Sequence, residues 1–362
     1  MKFAQVEEHC FQIWKSPVPS STILLLGPPG IGKTSVGPAL VKRMGPKAHC
    51  EIKDLTSIPP EDLPGMPWRS EGDNTTKYAP QEWLQRFALP GATGVLILDD
   101  LPAASPNIAA ATRQIALDRR INGVQLSDGV IVLVTGNRGQ DQSGAIKLPS
   151  HFLTSVCNLQ LEPDLLGWGK WFLHQGGAFS VMNFLKTRPQ LFSQLPKDAD
   201  NKGSFATPRT WTMLSKDIPA AEAAMTARFM MSGFVGDGVA SEFRAYQKRT
   251  KVLPPLDLLM EKPRETLPEP GKILTTADLM IGATDGIAFL SALENNPKAT
   301  EKYLEALFWV SQHNNEYVAA SLATFSASGG SSDQLHLASA RLSRRDPLVA
   351  QALKKMAENL RG

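Results

Sequence analysis

Gly27-Pro28-Pro29-Gly30-Ile31-Gly32-Lys33-Thr34 is a complete G-x-x-x-x-G-K-[ST] segment, and it directly follows the apolar run Ile23-Leu24-Leu25-Leu26. Glycines at these positions let the backbone curl so that successive N–H groups face an anion. A lysine adds a point charge at the β and γ oxygens of a nucleoside triphosphate, and the following hydroxyl can ligate Mg²⁺. With Ser35, these residues form the candidate binding loop. The setting supports that chemistry, because a buried strand precedes the loop and a helix-forming stretch follows it.

Two further segments belong with the first. Val95-Leu96-Ile97-Leu98 ends in Asp99-Asp100. In a parallel sheet the carboxyl ends of strands lie beside bound phosphates. Asp99 is there the candidate partner of Thr34 in holding Mg²⁺, and Asp100 the candidate residue that orients an attacking water. Taken alone, an Asp pair after a strand reads as a turn or helix cap. The third segment, Thr135-Gly136-Asn137-Arg138, closes another apolar strand. It sets Asn137 where a γ-phosphate or lytic water would be.

The elements that must carry these residues follow from the pattern. Thr22–Leu26, Cys50–Lys53, Gly94–Leu98, Val130–Val134 and Val156–Leu161 read as strands, and all but the second are near-continuous apolar runs. Such runs suit a parallel sheet covered by helices on both faces. A helix from about Lys33 to Met44, ended by Gly45-Pro46 and mildly kinked at Pro38, follows the loop. Pro59 to Pro90 reads as an inserted loop or hairpin rather than core, bearing Trp68, Tyr78 and Trp83, at least two of which are expected to pack the insert onto the domain. A helix over Asn107–Arg120 and a short hairpin over Ile121–Gly129 come next. Beyond Pro163 the spacing is helical, over Leu166–Gln175, Ala178–Leu185, Thr210–Lys216 and Ala220–Phe234. A Pro-rich connector from Leu253 to Pro270 leads to a third, helical region, with a Gly/Ser tract at Ser326–Ser332 read as a flexible loop.

Composition excludes several classes. The 362 residues are 42% apolar and 20% charged, which is ordinary globular chemistry, and the net charge of +3 neither demands nor excludes a basic nucleic-acid face. Lys248-Arg249-Thr250-Lys251 and Arg341 with Arg344-Arg345 read as solvated surface. Cys10, Cys50 and Cys157 are odd in number and lack C-x-x-C spacing, as expected of reduced, mostly buried thiols rather than disulfides or a metal centre. Met1-Lys2-Phe3-Ala4-Gln5-Val6-Glu7-Glu8 lacks the charged and then apolar layout of a signal peptide, and no apolar run approaches a bilayer span, so the expected address is cytoplasmic.

In this order the three motifs resemble an AAA+ ATPase. Asp62-Leu63-Pro64-Gly65-Met66-Pro67, Thr135-Gly136-Asn137-Arg138 with Gly144, Leu148-Pro149, Leu161-Glu162-Pro163-Asp164 and Thr207-Pro208-Arg209-Thr210-Trp211 are similar to the MoxR-like branch. The resemblance covers roughly residues 20 to 250. It implies an αβα P-loop domain (1–165), a helical lid (166–252) and a C-terminal helical extension (253–362). It also implies ATP and Mg²⁺ as ligands, and ring assembly, often as hexamers. The implied partner is a protein client remodelled in chaperone fashion, frequently one with a von Willebrand factor A-type domain. Arg209 is by this resemblance the lid arginine that senses the γ-phosphate.

Two departures stand out. Relatives carry Asp-Glu where this chain has Asp99-Asp100, and an arginine finger in an Asn-Arg-Phe stretch where it has Thr154-Ser155-Val156. A trans-acting arginine is worth about 10³-fold or more in nucleotide hydrolases. Arg138, Arg119 and Arg120 are the candidate substitutes. A nucleotide-binding assembly switch with weak hydrolysis, and an ATP-dependent nucleic-acid loader or translocase subunit, are the alternative functions.

Overall fold

The computed structural model describes residues 1–16, 22–59, 62–70, 72, 74–139, 148–195, 203–223, 225–250, 300–305, 322, 325 and 330–345. The chain divides into two compact units. The first is Met1–Gly167 with Ser193–Thr210, and the second is Trp168–Phe192 with Trp211–Gly362.

The first unit runs α1 (Phe3–Trp14), β1 (Ile23–Leu26), α2 (Val36–Met44), β2 (His49–Asp54), β3 (Met66–Arg69), β4 (Thr76–Ala79) and α3 (Glu82–Ala88). It continues through β5 (Gly94–Asp99), α4 (Pro106–Asp118), β6 (Arg120–Ile121), β7 (Val124–Gln125), β8 (Val130–Gly136), α5 (Ser150–Leu153) and β9 (Cys157–Gln160). Five strands form one sheet in the order β2-β5-β8-β1-β9. Every neighbouring pair is parallel.

Successive side chains of a strand point to opposite faces, so two apolar layers are needed. Ile23 and Leu25, Val95 and Ile97, and Ile131 and Leu133 join Val6 and Cys10 of α1 and Val36 and Leu40 of α2 on one face. Leu24, Leu96, Leu98, Val130, Val132 and Val134 join Trp83, Leu84 and Phe87 of α3 and Ile108 and Ile115 of α4 on the other. Close approach on the first face requires Gly37, since a Cβ there would lie 2.4 Å from Ile97 Cδ1 and 3.0 Å from Cys50 Sγ.

All five expected strands are present, with ends moved by one or two residues. The helix after the loop begins at Val36 rather than Lys33. Pro38 thus falls in its first turn, where the missing N–H has no intrahelical partner to lose, so no kink is required. The Pro59–Pro90 segment is only in part an insert. Its hairpin β3–β4 is exposed, whereas α3 buries Trp83 in the core at 7% exposure. Trp68 and Tyr78 stay 49% and 45% exposed. Helix α1 is an element beyond those expected, marked by Val6 and Cys10 at i,i+4 spacing.

The second unit is helical where described: α6 (Leu165–His174, entering it at Trp168), α7 (Phe179–Thr187), α8 (Pro208–Ala223, entering it at Trp211), α9 (Ala227–Val235) and α10 (Asp237–Thr250). Phe184, Trp211 and Phe243 form its aromatic centre, with ring centroids 5.1 to 5.7 Å apart. Trp211 Nε1 donates to Leu191 O at 3.0 Å. The expected helix over Ala220–Phe234 is two helices, separated near Met225, whose φ is +57°. The C-terminal extension contributes helical residues 300–305 and α11 (Ser332–Arg345), with Tyr303 stacked on Phe325 and Arg341 paired with Glu301. The Leu253–Pro270 connector, Gly144 and most of the Ser326–Ser332 tract lie outside the described residues.

Burial in the sheet centre makes a direct prediction. Leu133→Ala removes a fully buried side chain and costs about 2–5 kcal/mol of unfolding free energy in urea titrations. Ile52→Ala, on the edge strand β2 and 44% exposed, costs less than half as much. The same burial raises the Cys10 thiol to about 12, so alkylation at neutral pH reaches Cys10 only after unfolding.

Candidate functional site

Register decides what meets at the sheet edge. Leu26 of β1 pairs with Gly136 of β8, and Leu98 of β5 pairs with Val134 of β8. The three strands therefore end together, and the residues that follow them, Gly27, Asp100 and Asn137, start from one edge. Gly27 N–H donates to Gly136 O at 3.2 Å, tying the start of the loop to the end of β8.

Within the loop, Gly30 has φ +73°, a conformation that other residues adopt only with strain. A Cβ on Gly30 would also lie 2.7 Å from Thr207 Oγ1. Among the described residues, the N–H groups of Gly30, Ile31, Gly32 and Thr34 have no acceptor, while Ser35 N–H already turns back to Gly32 O at 3.0 Å. Four amide donors without a protein partner, in the turn before a helix, are the cradle that an anion needs.

Lys33 Nζ donates to Gly27 O and Pro28 O at 2.9 Å each, and to Asn137 Oδ1 at 2.8 Å. Thr34 Oγ1 lies 3.2 and 3.3 Å from the two carboxylate oxygens of Asp99 and donates to that group. A hydroxyl and a carboxylate side by side form a hard oxygen donor set of the kind Mg²⁺ takes. The residues therefore fit both the triphosphate and its cation.

Asp100 has φ +60° and ψ +44°, a left-handed conformation in which Asp and Asn are enriched among non-glycine residues. Its carboxyl accepts the Asn137 N–H and is raised above its ordinary value, first by burial and then by the Asp99 charge, with Lys33 opposing both. The lysine, the two aspartates and the asparagine singled out from sequence thus form one connected group.

Arg209 joins the group through its backbone. It lies in the first turn of α8, where Thr207 caps the helix by accepting the Thr210 N–H at 3.1 Å. Arg209 N–H donates to Gly30 O at 3.0 Å, and its exposed side chain leaves from beside the phosphate loop. Pro28 and Pro29 shape the loop without donors. Ser35 is exposed at the start of α2.

The candidate substitutes for the missing arginine separate. Arg119 is spent on structure: its guanidinium donates to Ser127 O at 2.9 Å and Val130 O at 2.7 Å, and burial lowers its pKa. Arg120 is exposed on β6, and Arg138 is half-buried directly after Asn137. Ser155 is exposed and donates to His151 O at 2.8 Å. Sequence reasoning missed Thr135, whose buried hydroxyl touches both aspartates. The signal for it was a lone hydroxyl closing the otherwise apolar run Val130–Val134.

The left-handed turn yields a stability prediction. Asp100→Glu places a longer side chain in that conformation and costs about 1 kcal/mol in urea unfolding. Asp100→Asn is neutral or stabilising, because it keeps a residue suited to the turn and removes a charge that burial and Asp99 disfavour.

Comparison with known proteins bears on this geometry. Residues 23–156, less than half of the chain, match the AAA family, the ATPase family associated with various cellular activities. No curated protein matches the sequence. Similar solved structures include a candidate ATPase from Cytophaga hutchinsonii, 14% identical over 81% of this chain and 75% of that one, with a TM-score of 0.31. The RuvB Holliday junction branch migration motor of Thermotoga maritima is 14% identical, covering 72% and 76%, with a TM-score of 0.36. PCH-2 of C. elegans is 14% identical, covering 69% and 68%, with a TM-score of 0.32. Likeness at these values carries no conclusion about ligand, partner or assembly. Residues 23–156 thus match the AAA family by sequence, and the parallel, helix-flanked sheet that contains them has the AAA+ P-loop fold.

Proposed function

We propose that this chain binds and hydrolyses Mg-ATP and uses the cycle to remodel a protein partner, as a MoxR-like AAA+ ATPase. The observation that carries the reading is the connected group at the sheet edge: Lys33 bonded to Asn137, Thr34 to Asp99, and Asp100 to the Asn137 backbone. Lys33 exchanges its carbonyl acceptors for β and γ phosphate oxygens, and the loop amides take the remaining phosphate charge. Thr34 and Asp99 are the residues that would hold Mg²⁺, which when bound neutralises charge on the phosphate oxygens. Asp100 orients the attacking water and accepts its proton, Asn137 fixes the water or the γ-phosphate, and Arg209 brings a further positive charge.

The narrower parts of the reading rest on motifs. The Asp62–Pro67, Leu161–Asp164 and Thr207–Trp211 segments support the MoxR-like branch, and through it a lid over 166–252, a ring-type homo-oligomer and a von Willebrand factor A-type client. The exposed Trp68 and Tyr78 on hairpin β3–β4 are the residues proposed to grip that client. A cytoplasmic setting fits the finding that no helix among the described residues is long and apolar enough to cross a membrane.

A second reading has a specific observation behind it. Ser155 stands where relatives have the arginine finger, and Arg119 is already bound to two carbonyls. A chain short of a trans-acting cation would bind ATP, assemble and turn over slowly. Steady-state Mg-ATP hydrolysis across a range of protein concentrations, with Lys33→Ala as the blank, separates the two. The proposed motor gives turnover per chain that rises with concentration and vanishes in the blank. Tight ATP binding with no turnover at any concentration favours the switch and overturns the motor.

A further inference from the structure

Strand β8 is fully buried along Val130–Gly136, and every side chain in it is apolar except that of Thr135. A buried hydroxyl needs partners. In a strand interior the usual ones are backbone carbonyls, but Thr135 uses none among its described bonds. It donates to the Asp99 carboxylate and accepts the Asp100 N–H at 3.3 Å. One oxygen therefore fixes both residues of the Asp99-Asp100 pair, and through different groups: the side chain of the first and the backbone of the second.

Each bond acts where the chain needs it. Asp100 lies in a left-handed turn that its backbone enters directly after β5, so the direction of its carboxyl depends on that peptide unit being held. Asp99 has a second donor in Thr34. In the proposed function the Thr34 oxygen would hold the cation by a lone pair while its proton stays on Asp99, so Thr34 would serve two partners at once. Thr135 lies one strand away and would have no part in holding the cation, so its bonds to the pair do not depend on the ligand. We infer that Thr135 is a positioning residue that aims the Asp99 carboxylate at the cation and the Asp100 carboxyl at the water. This rests on the nucleotide reading above and adds to it a residue that neither the phosphate loop nor the paired aspartates identify.

Thr135→Val keeps the shape and strand preference of the side chain and removes its oxygen, whereas Thr135→Ser keeps the oxygen and removes a methyl. Two readouts on the full chain decide the matter. The first, without any ligand, is amide hydrogen exchange at Asp100 by NMR. The second is Mn²⁺ affinity by EPR in the presence of a non-hydrolysable ATP analogue, beside analogue affinity in EDTA. Thr135→Val should expose the Asp100 amide to faster exchange and weaken Mn²⁺ by about 10- to 100-fold, the range for losing a partner that orients a ligand. Affinity for the metal-free analogue should hold, and Thr135→Ser should stay close to the unsubstituted chain in both readouts. Unchanged exchange and Mn²⁺ affinity in Thr135→Val, or equal loss in Thr135→Ser, would overturn the inference and leave Thr135 a packing residue. Should the unsubstituted chain bind no analogue at all, the nucleotide reading fails, and the amide readout still decides whether Thr135 holds Asp100.

Discussion

Everything at the candidate site depends on parallel register. Because Leu26 stands opposite Gly136 and Leu98 opposite Val134, three separate stretches of sequence finish at one edge of one sheet. A lysine and two aspartates arriving from different strands are thereby brought within hydrogen-bonding range of shared neighbours. The apolar alternation of the strands, with Ile97 facing α2 and Leu96 facing α3 and α4, fixes that register, since a slip of one residue would turn every side chain to the wrong layer. Core packing and site geometry are thus one constraint.

Much of this was legible in sequence because its signals are local. A glycine-rich turn between an apolar run and a helix-forming stretch identifies itself, and Asp99-Asp100 gains meaning only from being paired with it. The central strands β1, β5 and β8 were readable because burial on both faces demands unbroken apolar runs, whereas the edge strands β2 and β9 carry mixed sequences. What escaped was decided by tertiary contact. Trp83 sits in a polar, proline-rich stretch, yet α3 docks it in the core. The start of α2 moved to Val36 because the loop uses Lys33 and Thr34 in a turn, a requirement of the site and not of helix propensity. Thr135 was invisible as a site residue because a β-branched residue in a strand needs no explanation until its partners are seen.

The two departures from the resembled family look different once placed. Asp100 is shorter than glutamate, but it occupies a left-handed turn that suits aspartate, so its identity is coupled to the backbone as well as to chemistry. Ser155 has no such compensation, since its hydroxyl only returns to His151 O. The balance between a motor and a switch therefore turns on cationic charge supplied from elsewhere, with Arg209 already docked to the loop through Gly30 O.

The central claim is that the group around Lys33 is a triphosphate site with an adjoining cation site. Isothermal titration of the full chain with ATP, in Mg²⁺ and in EDTA, tests it most directly when repeated on Lys33→Ala and Asp99→Asn. The account predicts saturable binding at one site per chain, lost in Lys33→Ala, with the gain conferred by Mg²⁺ lost in Asp99→Asn. A folded chain that takes up no ATP, or one that binds it equally well after both substitutions, would contradict it.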